Sequence, residues 1–359
     1  MKKIVSLLIA FTLIFALPGC GGQEGPPAQI NPPAPGPEPS APASAWEPAN
    51  IREHTFVLAH GMSAESQVGQ QYHAFALSVE KLSEGKIKIE EKIDGILVND
   101  RETLDAVING RIDFCHSMGS YVTDVVTDIS PMTIAGYYGG SNWIGFATDT
   151  HNLISAIYEE HGIKYLGALY QGNSVIACTE KQIKSPSDVE DLAFRASGTW
   201  VSKTIEAWGG TAITIGLPDL AAAFRDNAVQ GTATGMNIIV PFKIYEEAKY
   251  ITVTTITEGF AALLMNGDTW GSLNADEQAL IAEAGSEFVK KAYDIAVRLV
   301  DEYIRTVKSQ GLNEVYNLTP EEQQLFIERA YSLYPQMEPA LGEKGEALII
   351  LLKQINGIK

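Results

Sequence analysis

Residues 55–92 read TFVLAHGMSAESQVGQQYHAFALSVEKLSEGKIKIEEK, and their hydrophobic pattern indicates the class of fold. The apolar run Thr55–Ala59 predicts a first strand. In Gln67–Ser83 the apolar residues recur every three or four positions, which is typical of an amphipathic helix, and Gly85 is placed to end it. Lys86–Lys92 alternates between apolar and charged side chains and predicts a second strand. A strand, a helix and a strand in this order predict an α/β fold.

The same alternation of helices and strands continues along the chain. We predict a second helix at Asn99–Asn109 and short strands at Ile112–His116, Lys164–Leu169, Ser174–Thr179, Leu192–Ala196 and Ala212–Ile215. The sequence does not repeat itself at intervals of about 20 to 50 residues, which disfavours a solenoid or a propeller.

The longest predicted element is a helix at Ala275–Gln310, which contains no proline and a single glycine, Gly285. Asn274 and Glu277 are spaced as in a capping box, which indicates where the helix begins. At 1.5 Å per residue this helix would be roughly 54 Å long, more than the width of one lobe of this chain. It is therefore predicted either to run across two lobes or to break at Gly285.

The charge and the cysteine content exclude several classes of protein. The 359 residues carry 44 acidic and 26 basic side chains, a formal net charge of −18, which disfavours binding to nucleic acids. Three cysteines are too few for a disulfide scaffold or a cysteine-built zinc domain. Export would permit a disulfide between Cys115 and Cys178, but both lie in apolar runs, so we expect buried free thiols.

The amino terminus, MKKIVSLLIAFTLIFALPGC, has the pattern of an export signal. Lys2 and Lys3 precede an apolar run, Ile4–Ala16, that is too short to cross a bilayer as a stable helix. Residues 1–19 are thus predicted to be a lipoprotein signal peptide, because Leu17–Cys20 resembles a bacterial lipobox. Cys20 would then carry the lipid that holds the exported protein at a membrane. The alternative is an ordinary cleaved signal that happens to contain a cysteine.

Residues 20–51 are predicted to be a linker rich in proline and alanine. Nine of the 17 prolines lie in residues 21–50. Proline removes amide donors and favours extended backbone, so this stretch cannot build a packed core. It is either a semi-rigid spacer or simply disordered, and the folded part is expected to begin near Ile51.

Several segments, taken in order, resemble one family of transport proteins. They are Phe75–Ile89 (FALSVEKLSEGKIKI), Gly110–Phe114 (GRIDF), Ile183–Arg195 (IKSPSDVEDLAFR), Trp208–Thr211 (WGGT), Asp219–Gly231 (DLAAAFRDNAVQG) and Lys243–Thr252 (KIYEEAKYIT). Their order and spacing resemble the extracytoplasmic solute-binding subunit of TRAP (tripartite ATP-independent periplasmic) transporters, the DctP-like family 7 solute-binding proteins. Other positions depart from the family pattern: Val175 replaces a frequent second arginine, and Ala221, Gln230 and Thr234 replace tyrosine, aspartate and asparagine.

The resemblance implies an α/β fold of the two-lobe periplasmic-binding-protein type II kind, with a long helix spanning both lobes. It implies discontinuous lobes, the first formed by residues 52–172 and 261–300 and the second by 173–260 and 301–359. The lobes would close on a small organic acid, and the protein would deliver that acid to membrane permease subunits. The expected location is the periplasm or the cell surface, with a lipid anchor.

Arg195 is the central site residue that the resemblance implies. It ends a predicted strand and is followed by small residues. A guanidinium offers a rigid fork of donors that matches a carboxylate, which a lysine cannot reproduce. The family places a ligand-binding arginine here, so Arg195 is expected to hold the carboxylate of the solute. The alternative is an arginine paired with a surface acid such as Asp191.

Further side chains are candidates for the same pocket. They are His60, Met118, Tyr121, Tyr137, Trp200, Thr234 and Asn237, which follow predicted strands or lie in loops near glycines. Aromatic rings there could cover an apolar or planar ligand, although packing in the core explains each ring taken singly. With Met118 and Val175 in place of polar groups, they indicate a less polar acid, aromatic or branched.

The sequence carries no motif of a known catalytic centre. It has no HExxH, CxxC, GxSxG or phosphate-binding glycine loop, and Asp94, Asp100 and Asp113 match no metal-binding loop. We therefore predict a binding protein without catalytic residues, metal or cofactor. Two alternatives stay open: an exported α/β enzyme that anchors a small carboxylate on Arg195, and a sensor or assembly lipoprotein with a vestigial pocket.

Overall fold

The computed structural model describes residues 45–134, 136, 143–172, 174–256 and 259–355. The chain divides into two units, residues 1–43 and 44–359, and the described residues belong to the second. The predicted signal peptide, Cys20, most of the predicted linker and Tyr137 lie outside the described residues.

The strands of the described chain are β1 His54–Ala59, β2 Ile87–Lys92, β3 Phe114–Met118, β4 Ile163–Leu169, β5 Ser174–Cys178, β6 Ala193–Ala196, β7 Thr211–Thr214, β8 Gly231–Gly235, β9 Tyr250–Thr254, β10 Ala261–Asn266 and β11 Glu314–Asn317. The helices are α1 Gln67–Leu82, α2 Thr103–Ile108, α3 Gly119–Val122, α4 Trp143–Glu159, α5 Thr199–Ala207, α6 Leu220–Arg225, α7 Met236–Ile239, α8 Ile244–Glu247, α9 Gly267–Ser272, α10 Ala275–Gln310, α11 Pro320–Tyr331, α12 Tyr334–Met337 and α13 Glu343–Ile355.

The strands form two mixed sheets, and each sheet is the centre of one lobe. The first sheet has the order β2-β1-β3-β10-β4, and the second has the order β11-β9-β5-β8-β6-β7. In the first sheet β10 runs antiparallel to β3 and β4, whereas β1 is parallel to β2 and β3. The chain crosses from the first sheet to the second between β4 and β5 and returns between β9 and β10. We call these halves the first lobe and the second lobe.

The long helix α10 spans both lobes, as predicted, and does not break at Gly285. Asn274 and Glu277 form the expected capping box at its start. An ideal Cβ added to Gly285 would lie 2.7 Å from the carbonyl oxygen of Leu166, so the absent side chain allows the helix to pack closely on β4. Further along, Tyr303 and Val307 belong to the same hydrophobic cluster as residues of the second sheet.

Several predicted boundaries differ from the structure by a few residues. The helix predicted at Asn99–Asn109 begins only at Thr103, because the Asn99 side chain accepts the amide of Arg101 and holds a turn there. The folded part begins before Ile51: the Trp46 side chain is buried in the core of the described unit. Sequence patterning missed Trp46 because it lies inside a proline-rich stretch.

Other expectations concern the lobes and the cysteines. The lobe boundaries stay a prediction; helix α13, assigned to the second lobe from sequence, buries Leu348 and Leu352 in a cluster with residues of α4 and β4. Cys115 lies in the first sheet and Cys178 in the second, and both are buried free thiols. Among the described helices, each is too short or too polar to span a membrane.

Candidate binding cavity

A cavity of about 110 Å³ lies between the two lobes. From the first lobe it is lined by Asp100, His116, Met118 and Tyr121, and from the second by Arg195, Thr234 and Asn237, among others. Ligand sites in α/β proteins commonly lie where two structural halves meet. Because both lobes contribute side chains, a molecule bound here would contact both at once.

The position of Arg195 follows from the alternation of side chains along β6. Phe194 faces the opposite side and is fully buried in the core of the second lobe. Arg195 pairs with Ile213 of β7 and Thr232 of β8, so its backbone is held on both sides. The strand ends one residue later, and the side chain lines the cavity.

The guanidinium of Arg195 is buried and only partly satisfied. The residue is 4% exposed, and Nε donates a hydrogen bond of 2.9 Å to the carbonyl oxygen of Ile215. Among the described residues, no group pairs with its buried Nη2. The alternative ion pair with Asp191 is therefore not formed. Burial lowers the pKa of Arg195, and Tyr121 partly opposes that effect; an arginine nevertheless keeps its proton at neutral pH.

Met118 and Tyr121 lie on the opposite side of the cavity, where β3 passes into α3. The Tyr121 ring packs under the guanidinium of Arg101, whose carbon lies 4.4 Å from the ring centroid. The sulfur of Met118 accepts a hydrogen bond from Gln171 Nε2. Gln171 in turn accepts a 2.9 Å hydrogen bond from Asn237 Nδ2, so these side chains link the two lobes at the cavity.

A cluster of titratable side chains forms the far end of the first-lobe wall. Asp100 Oδ1 accepts the Gly61 amide at 2.7 Å and lies 3.7 Å from His116 Nδ1. Burial by itself raises the pKa of Asp100, but His116 and the Gly61 amide outweigh burial, and the pKa is lowered. Burial, with the nearby His116, lowers the pKa of His60 to about 4, so this imidazole is neutral at neutral pH.

The structure brings together five of the residues predicted for the pocket: Arg195, Met118, Tyr121, Thr234 and Asn237 all line the cavity. His60 does not line it; the ring is fully buried and packs against Tyr72. Trp200 does not line it either; this half-buried side chain of α5 packs against the hydrophobic cluster that contains Tyr334, and the Lys203 ammonium lies over its ring. Which of these residues bind a ligand stays a prediction.

Sequence analysis missed Asp100, His116 and Gln171 as lining residues. Asp100 was considered only as a metal ligand, and His116 only as the end of a strand. No local motif marks them, because they lie far apart in the sequence. They meet at the cavity only after the chain has folded. Asp100 follows β2, His116 lies in β3, and Gln171 follows β4. These positions could have indicated the cavity, because strand ends gather at one edge of a sheet.

The rims of the cavity touch each other. Ser197 Oγ donates a 3.2 Å hydrogen bond to Ser120 Oγ, and Arg101 Nη2 donates to the Ser197 carbonyl oxygen at 3.1 Å. Next to them, an ideal Cβ on Gly198 would lie 2.1 Å from the carbonyl oxygen of Ser120. The lobes are thus in a closed arrangement, in which backbone meets backbone at the rim.

Comparisons with known proteins agree with this architecture. The family model of bacterial extracellular solute-binding protein, family 7 (DctP), matches residues 58–339. The C4-dicarboxylate-binding protein DctB of Bacillus subtilis (strain 168) is 22% identical over 296 residues, which cover 80% of this chain and 83% of that protein.

Solved structures share the fold. An apo open TRAP periplasmic solute-binding protein from Marinobacter aquaeolei VT8 has a TM-score of 0.77 at 19% identity and covers 83% of this chain and 99% of its own. A second, from Sulfitobacter sp. NAS-14.1 with bound β-D-galacturonate, has a TM-score of 0.76 at 18% identity, with coverages of 84% and 100%. The chain therefore belongs to the bacterial extracellular solute-binding proteins of family 7, a family of binding proteins and not of enzymes.

Proposed function

We propose that this protein binds a small organic acid between its lobes and that Arg195 holds the carboxylate. The observation that carries the proposal is the buried Nη2 of Arg195, which has no partner in the described residues and belongs to a side chain lining the cavity. A buried charged donor without a partner is costly, and a ligand carboxylate removes that cost with short, charge-assisted hydrogen bonds.

The negative charge of the whole protein does not argue against an anionic ligand. Charges on the surface are screened over about 10 Å at moderate salt, whereas a desolvated guanidinium acts at contact. Net charge then affects mainly the rate of association, and the local pairing dominates the affinity.

The rest of the cavity favours an acid with an apolar body. Val68, Met118, Leu217, Ile238 and Phe260 line it together with the polar groups. The relative DctB is named for C4-dicarboxylates, and the Sulfitobacter protein holds a sugar acid, so both relatives support the carboxylate class. We propose that this chain takes an acid whose body carries fewer hydroxyl groups than that of a sugar acid.

The proposed place of action is outside the cytoplasm, with Cys20 as a lipid anchor and TRAP permease subunits as the partners that receive the ligand. The signal-like residues 1–19 and the family's extracellular character support this proposal. Membrane fractionation tests the anchor: the wild-type chain should sediment with membranes, and the Cys20→Ser variant should be soluble. Equal sedimentation of both would contradict lipid anchoring.

Ligand binding is tested by a thermal-shift screen of organic acids on the mature chain carrying Cys20→Ser. A ligand at 100 times its Kd should add about 2.7 kcal/mol of stability. Arg195→Ala should abolish the shift. Arg225→Ala, which removes an exposed arginine of α6 that does not line the cavity, is the matched control and should keep most of it. No shift with any acid, or an unchanged shift in Arg195→Ala, would overturn the proposal.

The same screen separates binding from catalysis. The bound acid should be recovered unchanged and in stoichiometric amount, as read by NMR of the released ligand. Conversion of the acid on repeated turnover would instead support the enzyme alternative.

A further inference from the structure

The cavity carries two opposite charges, one on each lobe. Among the described residues that line it, Arg195 is the one lysine or arginine side chain, and Asp100 is the one aspartate or glutamate side chain. Arg195 lies in β6 of the second lobe, and Asp100 precedes α2 in the first. A ligand that reaches across the cavity therefore meets a cation at one end and a carboxylate at the other.

Among the described residues, no lysine or arginine pairs with Asp100. Its ion-pair neighbour is His116, whose Nδ1 lies 3.7 Å away, beyond hydrogen-bond distance. His116 also lines the cavity and is 2% exposed, and neither ring nitrogen has a hydrogen-bond partner in the part of the chain that the structure describes. The carboxylate keeps its negative charge, since its pKa is lowered, while the neighbouring His60 is neutral.

The two charged groups share the cavity with apolar side chains. Val68, Met118 and Phe260 line the cavity along with them. A short aliphatic chain would fit such a surface, because its methylene groups gain by leaving water. A second carboxylate at the Asp100 end would instead face a like charge in a partly buried site, which is strongly unfavourable.

We propose that Asp100, supported by His116, is a specificity-determining residue that selects acids carrying a protonated amine at their far end and rejects dicarboxylates. This inference rests on the proposed function, in which Arg195 holds the first carboxylate. The ligand class is therefore a zwitterionic amino acid with an aliphatic spacer. Unlike charges at the two ends also fix the orientation of the ligand, since the reversed pose places like charges together.

The test uses three probes with the same four-carbon chain: 4-aminobutyrate, butyrate and succinate. Calorimetric titration of the wild-type protein should rank 4-aminobutyrate at least 10-fold tighter than butyrate, with succinate weakest. A second set, 5-aminopentanoate, pentanoate and glutarate, repeats the ranking with one more methylene. Asp100→Asn should remove the advantage of the amino acid and raise the affinity for the diacid to that of the monoacid.

The matched control is Asp105→Asn, which removes the same charge from the exposed face of α2 and should leave the ranking unchanged. The wild-type ranking decides the inference even if Asp100→Asn does not fold. Succinate binding as tightly as 4-aminobutyrate, or an unchanged ranking in a folded Asp100→Asn, overturns it while the proposed function stands. If none of the six acids binds while the wider screen finds another acid, this inference fails and the proposed function stands; if no organic acid binds at all, both fail.

Discussion

The two walls of the cavity are built in different ways. On the second lobe, Arg195 lies within a single strand that neighbouring strands hold on both sides. On the first lobe, Asp100 comes from the connection that follows β2, whereas His116 and Tyr121 lie in β3 and in α3, which follows it directly. A side chain within a paired strand keeps its position wherever the strand is kept, whereas side chains in the connections can change one at a time. This difference agrees with the proposal that Arg195 holds the carboxylate and that the first-lobe wall contacts the rest of the ligand.

The walls also differ in how they respond to pH. The guanidinium of Arg195 stays charged over the whole range in which the protein is folded. The first-lobe wall contains the buried imidazole of His116 and the carboxylate of Asp100. Beside them, outside the cavity lining, burial lowers the pKa of His60 to about 4 from its ordinary 6.5.

The largest expected effect concerns His60. Because its pKa is lower in the folded than in the unfolded protein, protons bind preferentially to the unfolded chain as the pH falls from 6.5 towards 4. The free energy of unfolding is therefore unaffected by His60 above pH 6.5. It decreases by about 3 kcal/mol as the pH falls from 6.5 to 4. Urea unfolding at a series of pH values should show this loss in the wild type and a much smaller one in His60→Asn.

The matched control is His73→Asn, in which an exposed histidine of α1 paired with Glu91 is removed. It should follow the wild-type curve between pH 4 and 6.5. A His60→Asn curve parallel to the wild type would show that His60 does not titrate in this way.

The next effect concerns the contact between the two walls. Gly198→Ala places a Cβ against the backbone of Ser120, so the rims cannot meet without a shift. The closed state should become less populated, and the apparent affinity should fall about 10- to 100-fold in proportion. Small-angle scattering should show a larger radius of gyration with ligand bound. Gly216→Ala, where a Cβ makes only ordinary contacts, is the control; equal affinities of the two variants would contradict the closed-rim argument.

A smaller effect is expected at the link between the lobes. Asn237→Ala removes the donor to Gln171 Oε1 and leaves a buried amide oxygen without its partner. We expect a loss of about 1 to 2 kcal/mol in the free energy of unfolding. Thr234 also lines the cavity. Thr234→Ala should reduce the free energy of unfolding by less than Asn237→Ala does. Chemical denaturation measures both, and a larger loss in Thr234→Ala would contradict the argument.

The smallest effect is a change in the stability of the ligand-free protein when Arg195 is replaced. Arg195→Met replaces a buried, partly unsatisfied charge with an apolar side chain of similar length. The ligand-free protein should then be more stable by about 1 kcal/mol, although it no longer responds to carboxylates. Its melting temperature without ligand provides the measurement. A clear decrease would mean that the Nε bond to Ile215 matters more than the unpartnered Nη2.

Local sequence patterns predicted the elements that carry these walls. The helix Ala275–Gln310 was placed with its true ends, because its capping box and its amphipathic period act within the segment itself. Arg195 was identified from a contiguous motif at the end of a strand. In contrast, β3 was placed two residues early, at Ile112–His116 instead of Phe114–Met118, because its apolar run continues a preceding turn.

The sequence by itself determined the α/β class, the long helix, the family and the arginine of the second lobe. All of these depend on interactions between residues close together in the chain or on motifs that stay contiguous. Only the tertiary structure decided that Asp100, His116 and Gln171 reach the same cavity and that Trp200 does not. Their meeting depends on how two sheets stack and how the connections between strands converge. No local pattern encodes those distances, because residues far apart in the sequence meet only when the whole chain is packed.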